Sequence, residues 1–405
     1  MVNLDVMTIS FEWTDEHKII REAVRDFART EVAPKIPEMD INQEYDRKIL
    51  EKMGELGFLG VSIPQKYGGG GMDYISTAIV SEELEYVDTA LRVAISVHNG
   101  LNSMGIYQWG TEEQKMKYLK PQAEGKKLAA YGLTEPNAGS DVAAMESTAK
   151  KDGDNYILNG SKIWISLAAT ADNILVFAKT DSSKGHRGIS AFLIESGYKG
   201  VSSGSHKNKL GVRAGNTGFL NFDDVVIPQE NLLGEEGEGF KIAMSCLDNG
   251  RFTVAAGSVG LAKASRDAAV KYAQERTSFN KKISEHQLVQ RLIAHMNQGI
   301  EAAELLVLKA GWLKNIGRRN SRETAMAKWY ATNVASQAAD DAIQVHGAYG
   351  FSAEYPVERF WRNARGARIY EGTDQIQEII QGQYAFGFRQ DKPLRKDLPP
   401  YNPDE

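Results

Sequence analysis

The chain has 405 residues, of which 42% are hydrophobic, 25% charged and 9% aromatic: room for two or three domains with cores of their own, and no resemblance to a disordered or collagen-like polymer. Lys and Arg total 48 against 53 Asp and Glu, and a net charge of -5 supplies no field for phosphate backbones or anionic lipid, so nucleic acid is not an expected partner. No apolar run approaches the ~18 residues of a membrane span, and the first thirty residues carry acids and a helical pattern rather than a signal sequence. The single cysteine, Cys246, can form no intrachain disulfide; it fits a reducing, cytoplasmic setting and reads as a small core residue.

In chain order, Thr14 can cap a helix whose first turn carries Asp15 and Glu16, and Ile20, Val24, Phe27 and Ala28 recur at helical spacing until Pro34. Further helical stretches are expected near 47–57, 75–87, 90–104 and 112–119, and the glycines of "PQKYGGGGMD" read as a tight turn more readily than as a phosphate cradle. From about residue 128 the texture changes to short runs rich in Ile, Val, Phe and Trp, such as "NYILNGSKIWIS" and "DNILVFAKT", set off by Gly, Asn, Asp and Ser. After "GEEGEGF" the helical period returns over 287–314 and 323–347, and "DKPLRKDLPPYNPDE" reads as a polar, proline-bearing tail. The expectation is an α+β protein, mostly α, with a helical domain over 1–127, a β domain over 128–238, a helical bundle over 239–390 and a tail over 391–405. Helices, then strands, then helices argue against alternating βαβ units and a doubly wound nucleotide-binding sheet.

Several chemistries are missing from this pattern. G-x-G-x-x-G and G-x-x-x-x-G-K-[ST] are absent, as is H-E-x-x-H, and none of the seven histidines follows a Glu by three residues, so no metal site is expected.

The stretch "YGLTEPNAGSDVAAM" (131–145) is more specific, and resembles the first signature of the acyl-CoA dehydrogenases. "KIWIS" (162–166), "ERTSFNKKISEHQ" (275–287), "QVHGAYGFSAEYPVERFWRN" (344–363) and "IYEGTDQIQ" (369–377) resemble that family's remaining blocks, in its order and spacing, over nearly the whole chain. The resemblance implies an N-terminal helical domain, a middle β domain and a C-terminal four-helix domain, with FAD as cofactor. It implies flavin contacts from Tyr131, Leu133 and Thr134, and places Gly139 and Ser140 at the pyrophosphate and the CoA moiety. Trp164 would cover the dimethylbenzene edge, with Ile165 and Ser166 beside N5; Leu167 departs from the usual Trp-Ile-Thr-Asn. Arg276, Phe279, Gln287, Gln344 and Gly347 resemble residues that hold the adenine and pyrophosphate half of a neighbouring subunit's FAD, which implies a homo-oligomer, commonly a tetramer. Ala348 stands where Gly or Ser is usual.

A carboxylate that takes a proton from the carbon beside a thioester carbonyl needs a raised pKa, and donors must meet the charge that develops on the carbonyl oxygen. By the same resemblance Glu371 is that base, next to Tyr370, with Gly372 leaving room for the thioester and Thr373 and Gln375 as flavin contacts. The carbonyl would accept from the Glu371 N–H and a ribityl hydroxyl, and the β-carbon would deliver hydride to flavin N5, giving a trans-enoyl-CoA. Some branches carry the base at the position of Gly250, which here has no side chain. Arg251 resembles a CoA-side contact, with a bundle ion pair as the alternative.

Arg92, in an otherwise apolar helical stretch, has Glu85 seven residues earlier on roughly the same face. This resembles the glutaryl-CoA dehydrogenases, where such a pair faces the far carboxylate of the substrate. The expected substrate is a dicarboxylic monothioester, glutaryl-CoA or a substituted succinyl-CoA such as benzylsuccinyl-CoA; an Arg92–Glu85 pair with no ligand role is the alternative. Rival functions are a short-chain or cyclic acyl-CoA dehydrogenase, an acyl-CoA oxidase and a non-catalytic DNA-associated relative. The resemblance implies an electron-transferring flavoprotein as electron acceptor.

Overall fold

The computed structural model describes residues 12–404. The first eleven residues of the expected 1–127 domain and Glu405 of the expected tail lie outside the described residues.

Helix α1 (Asp15–Phe27) is capped by Thr14, whose hydroxyl accepts from the His17 N–H, and Val24, Phe27 and Ala28 face the core. The path does not stop at Pro34. It passes through a π turn (Ala28–Val32) and a 3-10 turn (Ala33–Lys35) into α2 (Ile36–Asn42), because the proline sits in the first turn of the 3-10 segment, where its missing N–H leaves no bond unmade. After α3 (Arg47–Glu55) the glycine run makes the expected tight turn: a Cβ on Gly69 would lie 2.1 Å from the Ile63 carbonyl oxygen. Helix α4 (Tyr74–Val87) ends at Asp88, whose extended backbone breaks the helix while its side chain caps α5 (Thr89–Ile95). The single helix expected over 90–104 is therefore α5, a π segment (Ser96–Ser103) and α6 (Met104–Trp109). The short α7 (Glu112–Gln114) and α8 (Lys120–Ala123) close the helical region.

The strands β1 (Ala129–Gly132), β2 (Thr148–Asp152), β3 (Asn155–Ser166), β4 (Asn173–Lys179), β5 (Ile189–Glu195), β6 (Val201–Ser205), β7 (Thr217–Pro228) and β8 (Leu232–Leu233) form one sheet. Its spatial order is β6-β7-β3-β2-β4-β5-β8, with β1 parallel beside β4. The register of β3 against β7 slips between Ile163 and Ile165, a bulge centred on Trp164.

Helices α9 (Gly239–Glu275), α10 (Gln287–Asn315) and α11 (Ser321–His346) dominate the C-terminal region. A two-strand hairpin, β9 (Thr277–Ser278) with β10 (Lys281–Lys282), joins the first two, and α12 (Val357–Ala367) and α13 (Asp374–Ala385) follow. Tyr272 near the end of α9 stacks on His346 at the end of α11, with centroids 4.3 Å apart, so these two helices finish together.

The expected polar tail is a docked strap. Arg395 grips Glu238 with two nitrogens, Gln108 donates to the Lys396 carbonyl, the Tyr74 hydroxyl donates to the Pro399 carbonyl, and Leu394 and Leu398 pack on buried side chains. Cys246 is fully buried in that same cluster and its thiol is pushed up to about 12 by burial. Three apolar clusters result: N-terminal helices with one face of the sheet, the interior of the helical bundle, and a junction where α6, β4, β5 and the start of α9 meet. Among the described residues no helix is long and apolar enough to cross a membrane, and no group of His, Cys, Asp and Glu is arranged to hold a metal.

Candidate active site

A cavity of about 690 Å³ opens where α5, the β1 and β3 ends, the start of α9 and the loop between α12 and α13 converge. Its wall includes Tyr131, Leu133, Thr134, Gly139 and Ser140 from the β1 side and Trp164, Ile165 and Ser166 from β3. Arg92, Arg251, Tyr370, Glu371, Gly372 and Thr373 complete the part expected from sequence. Residues from Arg92 to Ile376 are thus brought to one chamber from well-separated stretches of chain.

Glu371 sits in the turn before α13 with φ 55°, a left-handed conformation that costs a non-glycine residue on the order of 1 kcal/mol, and Gly372 follows at φ 94°. Three groups hold this turn. Arg251 Nε donates to the Glu371 carbonyl at 2.9 Å, Lys328 Nζ donates to the Gly372 carbonyl at 2.8 Å, and Gln377 Nε2 reaches the same Gly372 carbonyl at 3.0 Å. Burial raises the Glu371 pKa, and the Ser96 hydroxyl bond with the charges of Arg92, Lys328 and Arg251 offsets only part of the rise. Lys328, wholly buried, is lowered to about 8 chiefly by burial. Gly250 leaves the space the carboxylate occupies: a Cβ there would lie 2.0 Å from Glu371 Oε2. A side chain at 250 and a carboxylate at 371 compete for one volume.

Arg92 and Glu85 are both wholly buried, and Nε meets Oε2 at 2.5 Å. Their contact does not follow from one continuous helix face, because the chain breaks at the extended backbone of Asp88 between α4 and α5. Glu85 also accepts from the Thr89 hydroxyl and does not line the cavity. Arg92 Nη2 donates to the Tyr370 hydroxyl, and Nη1 has no partner among the described residues. Gly257 makes room for the pair, since a Cβ there would fall 2.1 Å from Glu85 Oε2. Arg251 does make the bundle ion pair, Nη1 to Asp248 at 3.3 Å, while its Nε serves the Glu371 turn.

The remaining expected residues divide. Trp164, at φ 60° on the bulge, is 59% exposed at the cavity wall, with its ring 4.9 Å from that of His206. Thr373 lines the cavity and also caps α13. Gln375 is exposed and lies outside the cavity wall, whereas Gln377 is buried against the Glu371 turn. Arg276, Phe279, Gln287, Gln344 and Gly347 are all exposed and line no part of their own chain's cavity. They collect at the shared end of α9, α10 and α11, where Arg276 lies 5.8 Å from the Tyr349 ring and Phe279 is 91% exposed.

Sequence reasoning missed Lys328 and Gln377, which hold the Glu371 turn, Ser96, which bonds its carboxylate, and Val97, Leu101 and Leu247, which line the cavity. Lys328 carried a usable signal, a lysine in the alanine-rich stretch "ETAMAKWYATNVA"; Ser96 and Gln377 carried none.

The chamber suits a flavin. Trp164 offers an uncovered aromatic face, Gly139 has open space where a Cβ would stand, and Glu371 Oε2 is a buried oxygen without a hydrogen-bond partner among the described residues. Three family models match in succession: the acyl-CoA dehydrogenase N-terminal domain over residues 14–126, the middle domain over 130–225 and the C-terminal domain over 237–384. A short-chain-specific acyl-CoA dehydrogenase of Clostridium acetobutylicum is 43% identical over 372 residues, 92% of this chain and 98% of that protein. A chain solved in work on the electron-transferring flavoprotein of Acidaminococcus fermentans and flavin-based electron bifurcation superposes with TM-score 0.92 at 46% identity, covering 93% of this chain and 99% of the other. A glutaryl-CoA dehydrogenase in complex with glutaryl-CoA superposes with TM-score 0.91 at 40% identity, covering 96% and 99%.

Proposed function

This chain belongs to the acyl-CoA dehydrogenase family, FAD-dependent oxidoreductases that dehydrogenate acyl-CoA thioesters, and on that premise we propose that its substrate is a thioester with a second carboxylate, glutaryl-CoA or a substituted succinyl-CoA. The observation that carries this reading is Arg92: a wholly buried guanidinium on the cavity wall, with Glu85 on one nitrogen, Tyr370 on another and, among the described residues, no partner on Nη1. A buried donor without a partner is costly, and a carboxylate at the far end of the acyl group would satisfy it. A plain short-chain acyl-CoA is the second reading, favoured by the likeness to the short-chain enzyme.

In the mechanism, Glu371 removes the α-proton with Oε2 while its backbone N–H, aimed by the left-handed turn, donates to the thioester carbonyl. Arg251, Lys328 and Gln377 keep the two carbonyls of the turn fixed, so this donor needs no reorganisation when charge develops. FAD, when bound, supplies the redox chemistry, taking up the hydride that leaves the β-carbon. Tyr131, Leu133, Thr134, Gly139, Ser140, Trp164, Ile165, Ser166 and Thr373 would hold it, Arg251 and Tyr370 would flank the thioester, and Gly372 would admit it. Arg276, Phe279, Gln287, Gln344 and Gly347 would serve a neighbouring subunit's FAD; their exposure together at one end of the bundle supports that arrangement and a tetramer. An electron-transferring flavoprotein as acceptor is supported by the likeness to the Acidaminococcus chain.

The test is Arg92→Met, comparing glutaryl-CoA with butyryl-CoA. Loss of the partner leaves Glu85 buried and unpaired, which destabilises by about 3–5 kcal/mol, but damage to folding falls on both substrates alike. The expected outcome is a fall of about a hundred-fold or more in the ratio of kcat/KM for glutaryl-CoA to that for butyryl-CoA. An unchanged ratio would leave Arg92 with a structural role and favour the short-chain reading.

A further inference from the structure

The two carboxylate oxygens of Glu371 live in different surroundings. Oε1 accepts from the Ser96 hydroxyl at 2.6 Å, the one hydrogen-bond donor to this carboxylate among the described residues. Oε2 has none and sits in the volume that the missing side chain of Gly250 leaves to it. Ser96 is itself wholly buried, at the point where α5 passes into the π segment, and the Thr253 hydroxyl, also buried, lies 2.8 Å from Ser96 Oγ and 2.7 Å from the Gly250 carbonyl. Thr253 sits three residues after Gly250 on α9, so the glycine that clears space for Oε2 and the hydroxyl that steadies the donor to Oε1 share one turn of one helix.

We propose that the buried Thr253–Ser96 hydroxyl pair positions the general base, gripping Glu371 by Oε1 so that Oε2 is the oxygen that receives the α-proton. The inference rests on Glu371 being the base. In the proton transfer the α C–H bond breaks, its proton joins Oε2, and the electron pair left on carbon forms the new double bond as hydride leaves the β-carbon. Ser96 need not give up its own proton: Oε1 accepts the same hydrogen bond before and after. That bond is stronger to the carboxylate than to the acid, so it holds part of the charged form in place against burial.

The other groups around the carboxylate act through space. Arg92 faces it from α5, Arg251 from α9 and Lys328 from α11, while Tyr370 precedes it in the turn and Tyr131 approaches from β1. None of them hydrogen-bonds a Glu371 carboxylate oxygen, so the hydroxyl pair alone can choose between the oxygens. Ser96 and Thr253 are positioning residues in this scheme.

The experiment uses the FAD-loaded enzyme with whichever of glutaryl-CoA and butyryl-CoA it turns over, and an artificial electron acceptor. Ser96→Ala should lower kcat at neutral pH by about ten- to a hundred-fold, as expected for loss of a hydrogen bond to a charged group. The acidic limb of its kcat–pH profile should move up by about one to two units, so that much of the rate returns at high pH, with KM little changed. Ser96→Thr should restore the wild-type profile, and Thr253→Val should shift the limb in the same direction by less. An equal loss at every pH, or an effect on KM alone, would overturn the proposal by assigning Ser96 to packing or to substrate contact. If Ser96→Ala does not fold, Thr253→Val carries the same decision. Undiminished turnover by Glu371→Gln would instead remove the base itself, so failure of the two readings can be told apart.

Discussion

Glu371 is held in a conformation that only its neighbours make tenable: left-handed backbone, a glycine after it, and three donors on the carbonyls of the turn. Its raised pKa follows chiefly from burial, and the sign of the stability effect follows from that. The folded protein keeps the Glu371 proton to higher pH than the unfolded chain, so stability is lost as pH rises from the ordinary glutamate range of about 4.3 through the raised value, and the loss persists above it. Glu371→Gln should therefore match the wild type in thermal stability near pH 4 and exceed it near pH 8, while kcat falls by roughly a thousand-fold. Melting curves at the two pH values, beside turnover, check both halves. A variant less stable than wild type at pH 8 would mean that the charges of Arg92, Lys328 and Arg251 stabilise the carboxylate more than burial disfavours it.

Between elements, the most consequential brace is Lys162. It lies on β3 two residues before Trp164, is wholly buried, and places Nζ 2.6 Å from Glu135 and 3.3 Å from the Leu133 carbonyl. Glu135 in turn accepts from the backbone N–H groups of Glu146 and Ser147. One ion pair thus ties the loop bearing Thr134, Gly139 and Ser140 to the strand bearing Trp164. Burial lowers the Lys162 pKa to about 8 even with Glu135 beside it. Lys162→Met should destabilise by about 3–5 kcal/mol, because it orphans a buried carboxylate, and should weaken flavin retention. Adding Glu135→Gln should recover part of the stability. Flavin content after gel filtration and a denaturant titration measure the two effects; full retention of flavin in the single variant would reduce the pair to ordinary packing.

For the molecule as a whole, the C-terminal strap is the feature that bridges several helices at once. It runs from Glu238 at the start of α9, past Gln108 and Trp109 of α6, to Tyr74 of α4 and Asn315 at the end of α10. The matched family regions end at residue 384, so this clasp lies beyond them. Deleting residues 391–405 exposes Leu394- and Leu398-facing surface and frees Glu238, which should lower stability by about 2–4 kcal/mol. The cavity wall contains no strap residue, so kcat at low temperature should hold while the melting temperature falls. Differential scanning calorimetry and initial rates on the truncated enzyme test this, and an unchanged melting temperature would make the strap a passive tail.

Much of the architecture was legible in the sequence because it depends on local physics. Helical spacing with the Thr14 cap placed α1, alternation and β-branched runs placed the sheet, and the ordered blocks marked the residues around the cavity, Glu371 included. What the sequence could not supply were the features that depend on where distant segments end up. The break at Asp88 turns Arg92 onto Glu85 by a route that residue spacing does not encode, and the polar tail becomes a strap because Glu238, Tyr74 and Gln108 wait for it. Gln375 and Gln377 lie two residues apart, about 200° around the helix, which decides that the second rather than the first reaches the Glu371 turn. Residue types and local periodicity were settled by the chain itself; which oxygen of Glu371 is gripped and which left free was settled only by packing, since Ser96, backed by Thr253, and Gly250 meet that carboxylate from helices separated by some 150 residues.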